Sequence, residues 1–217
     1  MIVYTSIYGG KDNLIEQPKI PGVEYVCFTD DRGLSSKSWN IIYDPPKFAS
    51  ARMNAKRHKI LTHKYVTQGD ESLWIDGNIV IISDPRGMVD GLDCDLAFFD
   101  HNSEFVHDRR DCIYDEAIAC KMLGKDDPKV MFDQVMRYAG ESYPRNNGLI
   151  VGSTIYRKHK SSKVIKLMEA WWQEILSGSS RDQLSFNYVA WKLGMPYDTI
   201  PGDCRNNKWL IMVGHKK

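Results

Sequence analysis

Leu73-Trp74-Ile75-Asp76-Gly77-Asn78 decides how the rest of this chain is read. An apolar run ends in a carboxylate, a glycine and an amide, and Ile79-Val80-Ile81-Ile82 then resumes the apolar pattern. Asp76 and Asn78 set two hard oxygen donors together at a strand end. Mg²⁺ or Mn²⁺ is commonly held by one or two such side chains, with substrate phosphates and water filling the other positions. Asp-Gly between two apolar runs is equally a short hairpin signal. The stretch therefore allows a metal site or a plain turn, and its surroundings must separate them.

Outward toward the N-terminus, Ile2 to Tyr8 reads as a strand ending at Gly9-Gly10. Glu24 to Thr29 reads as a second, ending at Asp30-Asp31, and Trp39 to Tyr43 as a third, stopped by Pro45-Pro46. Residues 49–66 lack Gly and Pro and are rich in Ala, Lys and Arg, so they read as a helix, with Ala51, Ala55 and Lys59 on one close-packing face. Toward the C-terminus, Asp95 to Phe99 is a strand, and helices are expected over 114–123 and 129–139, with Gly124 and Gly140 just past their ends. Leu149-Ile150-Val151 is a short strand after Asn146-Asn147-Gly148. Val164, Leu167, Met168, Trp171 and Ile175 give helical spacing from Ser162 to Leu176, and a last helix runs from Asp182 to Leu193 before Gly194 and Pro196.

Strands alternate with helices early and helices dominate late, which predicts an α/β fold with a mostly parallel central sheet. With no repeat or linker, residues 1–217 are expected to form one domain. Ligands of such sheets bind beyond the carboxyl ends of the strands, where Gly9, Asp30 and Asp76 converge.

A net charge of +1 gives no basic excess for nucleic acid. No apolar run is long enough to span a membrane and the N-terminus does not read as a signal peptide. Five cysteines without a C-x-x-C pair argue against zinc or a disulfide framework, so a cytoplasmic setting is expected.

Each candidate site residue has two readings. Tyr4 to Gly10 could offer backbone N–H groups and a tyrosine to a nucleotide, or be a strand with a loose turn. Asp30 could hydrogen-bond a base or ribose, or start a turn. Arg52 and Lys56, four residues apart on one helix face, could meet a diphosphate or be solvated charge. Asp182 suits a helix N-cap, and with Gln183 it could also face an anomeric carbon. His215, tethered by the apolar run Trp209 to Val213, could complete a metal site with Asp76 and Asn78, and Lys216 could reach a phosphate.

Taken in order, these segments resemble the GT-A class of nucleotide-sugar glycosyltransferases. The resemblance rests on the Tyr4-Thr5-Ser6-Ile7-Tyr8-Gly9 strand, Phe28-Thr29-Asp30-Asp31, the Ala51 to Leu61 helix, and Leu73 to Asn78. Asn146-Asn147-Gly148, Arg181-Asp182-Gln183 and Gly214-His215-Lys216 continue it. The chain is similar to the small glycosyltransferase-like domain of plant pectin- and mucilage-related proteins, and to the domain with which large algal viruses glycosylate their capsids. A viral origin would place it in the host cytoplasm.

The resemblance implies a GT-A-like fold and transfer of a hexose or deoxyhexose from a nucleotide-sugar donor, UDP-linked, to a glycan or glycoprotein acceptor with Mn²⁺ or Mg²⁺. Asp76 and Asn78 stand where the family carries its D-x-D metal motif, with Asn78 as the departure, and His215 matches a C-terminal metal ligand. Thr5, Tyr8 and Asp30 would hold the nucleoside, Arg52 and Lys56 the diphosphate or the donor sugar, and Lys216 a phosphate. Asp182, Gln183 and Asn187 match a D-Q-x-x-x-N spacing beside the donor sugar, which favours retention over inversion. A phosphoester hydrolase and a binding module without turnover are the alternatives.

Overall fold

In the computed structural model, which describes residues 1–214, the chain opens with β1 (Ile2–Ile7), β2 (Glu24–Thr29) and β3 (Asn40–Tyr43). Helix α1 (Ala51–Ile60) returns it to β4 (Glu71–Ile75), and β5 (Ile79–Ile81) follows at once. Then come β6 (Leu96–Asp100), α2 (Ile113–Met122), α3 (Pro128–Gly140), β7 (Ile150–Lys158) and α4 (Ser162–Ser177). The chain continues through α5 (Phe186–Leu193), β8 (Asp198–Ile200) and β9 (Leu210–Met212).

Seven strands form one sheet in the order β3-β2-β1-β4-β7-β6-β8. β7 runs antiparallel to β4 and β6, and the other pairs are parallel. This is the mixed, mostly parallel α/β architecture that the GT-A resemblance implies.

Alternating side chains take opposite faces of a strand, so both faces of this sheet need cover. Ile2, Tyr4, Trp74 and Phe98 pack with the helices, against Ile60, Val135, Leu167 and Trp171. Val3, Leu73, Ile75 and Phe99 face the other way, onto Ile79, Ile81 and Leu210 of the small antiparallel pair β5–β9. Asp76-Gly77-Asn78 therefore closes no hairpin. β5 pairs with β9 rather than β4, and the turn carries the chain from one sheet to the other.

Four expectations are corrected. The helix over 49–66 ends at Ile60 because the buried Arg157 guanidinium takes the Lys59 and Ile60 carbonyls at 2.8 and 3.3 Å, and a short 3₁₀ turn follows at Thr62–Lys64. The short strand at 149–151 extends through Gly152-Ser153-Thr154 to Lys158, because pairing on both sides supplies the backbone partners that weak local propensity lacks. The last helix is split. Asp182–Leu184 is a 3₁₀ turn, α5 starts at Phe186, and the Asp182 side chain caps neither. After α3 the left-handed residue is Ser142, with φ 66°, and Gly140 stays within the helix.

Candidate functional site

Helix α1 is unusual in what it buries. Asn54, Lys56, Arg57, His58 and Lys59 are all inside. Charge is expensive to bury unless it is paired, so this helix needs partners. Arg57 is paired with Asp44, and the His58 Nε2 lies 3.1 Å from the same carboxylate. Lys56 and Lys59 turn toward the carboxyl ends of β1 and β4. There an open cleft of about 310 Å³ is lined by Ser6, Tyr8, Lys11 and Asp12, by Ala51, Arg52, Ala55, Lys56 and Lys59, by Trp74, Asp76 and Gly77, and by Arg181.

Small residues make the cleft possible. Gly9, left-handed at φ 62°, lies against Ala51, where an added Cβ would come within 3.0 Å of the alanine methyl. The Ser6 hydroxyl donates to the Ala55 carbonyl at 3.2 Å. The close-packing face of α1 therefore rests on the end of β1, and its lysines extend past the contact.

Beneath the cleft lies a buried ionic cluster. Asp182 Oδ2 is 2.7 Å from Lys59 Nζ and 3.0 Å from Lys56 Nζ, and Lys59 Nζ also reaches Asp76 Oδ1 at 3.5 Å. Gly152 of β7 leaves room for this pair. A Cβ there would sit 3.0 Å from Asp182 Oδ2 and 3.1 Å from Lys59 Nζ. Burial works against the ionised Asp182 carboxyl, but Lys56, Lys59 and Arg181 outweigh it and hold its pKa well below the usual carboxylate range. Burial pushes the Lys56 ammonium down to about 8 despite Asp182, helped by repulsion from Lys59. For Lys59 burial is outweighed by two carboxylates, Asp182 and Asp76, and its pKa is raised. The two lysines differ because only Lys59 touches both acids.

The cleft thus brings Tyr8, Arg52, Lys56 and Asp76 together, with Asp182 behind them. Tyr8 stacks on His58 at 5.5 Å and donates its hydroxyl to the Asp44 carbonyl and carboxylate at 3.0 and 2.9 Å. Arg52 is exposed at the rim, donating to the Lys125 carbonyl at 3.0 Å. Thr5 is fully buried behind Gly77, its hydroxyl without a partner among the described residues. Asp30 accepts from the Gly9 N–H at 3.1 and 3.2 Å, fixing the turn beside the cleft rather than lining it. Gln183 donates to the Ile150 carbonyl at 3.0 Å. Asn187 accepts from the Ile150 N–H at 3.1 Å and donates to the Tyr197 hydroxyl at 2.7 Å. His215 and Lys216 lie outside the described residues.

Lys59 and Arg181 were not among the expected site residues. The available signal was the face Ala51, Ala55, Lys59. A lysine in register with two alanines lies against the body of the protein, not in solvent. Arg181 lines the cleft and lies 3.9 Å from the buried Glu116.

A divalent cation fits this site in part. Asp76 has a side chain 37% exposed, and its Oδ1 accepts from the Trp74 indole N–H at 2.8 Å, which leaves Oδ2 to a cation. Asn78 is buried, and its Nδ2 donates to the Val213 carbonyl at 2.9 Å, leaving its Oδ1 as the second oxygen. Among the described residues no three acidic, histidine or cysteine side chains form a metal cluster. This donor set suits an ion that takes most of its ligands from phosphate oxygens and water. The Val213 N–H also donates to the Asn78 carbonyl at 2.8 Å, so the chain reaches Gly214 directly from this turn.

Two comparisons bear on the chain as a whole. The sequence profile of the TOD1/MUCI70 glycosyltransferase-like domain matches residues 1–215. The chain is 26% identical over 207 residues to a protein described as probable hexosyltransferase MUCI70 of Arabidopsis thaliana. That match takes in 86% of this chain and 34% of the plant protein, so the chain spans about a third of its relative's length.

Proposed function

We propose, because the chain belongs to the family of TOD1/MUCI70 glycosyltransferase-like domains, that it transfers a hexose or deoxyhexose from a UDP-linked donor to a glycan or glycoprotein acceptor. The observation that carries this reading is the Lys56–Lys59–Asp182 cluster beneath a cleft at the carboxyl ends of β1 and β4, beside Asp76. Cations outnumber carboxylates on the cleft wall, as binding a diphosphate requires. Tyr8 and Thr5 shape the nucleoside end and Asp30 fixes the turn beside it.

Mn²⁺ or Mg²⁺, held by Asp76 and Asn78, would supply Lewis-acid neutralisation of the diphosphate. Lys56, Lys59 and Arg181 stabilise the negative charge that grows on the diphosphate as its bond to the anomeric carbon breaks. Fixed charges aimed at developing charge need no reorganisation at the moment of reaction. Asp182 is too weak a base in this setting to take the acceptor's proton. Its role is to hold the two ammoniums in place. That favours retention, with the departing diphosphate oxygen accepting the proton from the attacking hydroxyl. His215 and Lys216 follow Gly214 and are proposed to add a metal ligand and a phosphate contact.

The test is incubation with a panel of UDP-, GDP- and TDP-sugars with Mn²⁺, and with chelator in place of metal, following release of the nucleoside diphosphate. Metal-dependent release from a UDP-sugar supports the reading. Tight binding of a UDP-sugar without release or transfer favours the module without turnover, a role to which Asn78 in place of a carboxylate also points. Phosphate release with no sugar specificity favours the hydrolase.

A further inference from the structure

A second cleft, of about 400 Å³, opens where the end of α5 meets the Asn146-Asn147-Gly148 loop before β7. No charged side chain is among its lining residues, in a chain of which 26% is charged. Trp191, 40% exposed, lines this cleft. The indole is held edge-on by Tyr143 at 5.4 Å and 80°, and tilted against Tyr188 at 6.2 Å. An aromatic fixed from behind and open in front is a preformed platform. Asn147 and Tyr197 line the same cleft, and the buried Asn187 amide, already engaged by the Ile150 N–H, donates to the Tyr197 hydroxyl and fixes it. Asn146 takes a left-handed φ of 54° and Gly148 one of 84°, a conformation in which the loop presents Asn147 on the cleft wall.

A sugar ring has an apolar face of C–H groups and a rim of hydroxyls. A flat indole covers the first, while the Asn147 amide, which donates and accepts, and the Tyr197 hydroxyl, which keeps its proton to donate, meet the second. An uncharged lining offers no ion pair to a carboxylate or phosphate. The chain from Gly148 into β7 runs between residues of the two clefts. Gly152 lies against Asp182 and Lys59, while a Cβ at Gly148 would come within 3.1 Å of Asn187 Nδ2 and of the Tyr197 hydroxyl. Four residues of chain span at most about 14 Å. That separation suits a glycan whose end is modified in the first cleft while an inner sugar rests in the second.

We propose that the Trp191 cleft is the acceptor subsite and takes an uncharged oligosaccharide, an inference that rests on the sugar-transfer reading. The test uses neutral tetrasaccharides of glucose, galactose, mannose, xylose and rhamnose, with tetragalacturonate as the acidic comparison. Binding to the full chain is followed by saturation-transfer NMR and titration. At least one neutral tetrasaccharide should bind. Trp191→Ala should weaken it by roughly tenfold, as loss of a stacked aromatic surface does, and Trp191→Phe should recover part of that. UDP titration and the melting temperature of each variant report on its fold. Preference for the acidic sugar, no binding of any neutral one, or equal binding by Trp191→Ala would overturn the proposal. Failure of the wild-type chain to bind UDP would instead remove the sugar-transfer reading itself.

Discussion

At the scale of single residues the site depends on Lys59, which bridges Asp182 at 2.7 Å and Asp76 at 3.5 Å. Replacing Asp182 by Asn removes the charge that two buried ammoniums share. An Asn would be an excellent helix cap, but Asp182 caps nothing here. Asp182→Asn should therefore destabilise by about 3–5 kcal/mol, the usual result of unpairing a buried charge, and lower transfer strongly. Chemical denaturation checks this, and an unchanged midpoint would contradict the ionic role.

Because the Asp182 pKa is depressed on folding, its stabilisation is present above the ordinary carboxylate pKa and is lost only as pH falls through the lower folded value. Lys56 has the opposite pattern. Its folded pKa of about 8 lies below its ordinary 10.5, so the folded state carries a disfavoured charge below 8, and stability gains as pH rises from 8 to 10.5. Affinity for a diphosphate should move the other way and fall across that window, by at most about tenfold per pH unit. UDP titrations at a series of pH values check this, and the decline should vanish in Lys56→Met.

At the scale of elements, the β5–β9 pair does more than cover the sheet. It brings Val213 onto both the backbone and the amide of Asn78, at 2.8 and 2.9 Å. Truncation after Val213 keeps every strand and should leave the melting temperature nearly unchanged. It should weaken UDP binding in Mn²⁺ more than in chelator, as calorimetry would show. Equal affinity in the two proteins would mean that residues 214–217 take no part.

The strands ending at Ile7, Thr29 and Ile75 were legible in the sequence because apolar runs stop there at Gly or Asp. α4 was legible through its periodicity and α2 through Gly124 just past its end, while α3 was expected but its end signal, Gly140, lies inside it. β7 was not, since Gly152-Ser153-Thr154 reads locally as loop and becomes strand only between two partners. β8 and the β5–β9 pairing join segments distant in the chain, which no local pattern reports. In the site, Asp76, Lys56 and Asp182 were legible as residues but not as a cluster. Charges on a helix read as solvated until the fold shows which face is inside.

At the scale of the whole molecule, helices α1 to α5 pack on one face of the sheet and the small β5–β9 pair covers the other. Both layers stop short at the carboxyl ends of β1 and β4, and the crevice left there holds α1's lysines and the Asp76 turn. No helix among the described residues is long and apolar enough to cross a membrane. The central claim is that this crevice seats the diphosphate of a nucleotide-sugar. A crystal structure of the full chain with UDP and Mn²⁺, the metal located by its anomalous signal, tests it most directly. The diphosphate should lie against Lys56 and Lys59 with the manganese beside Asp76; UDP bound elsewhere, or an empty crevice at saturating UDP, would contradict the account.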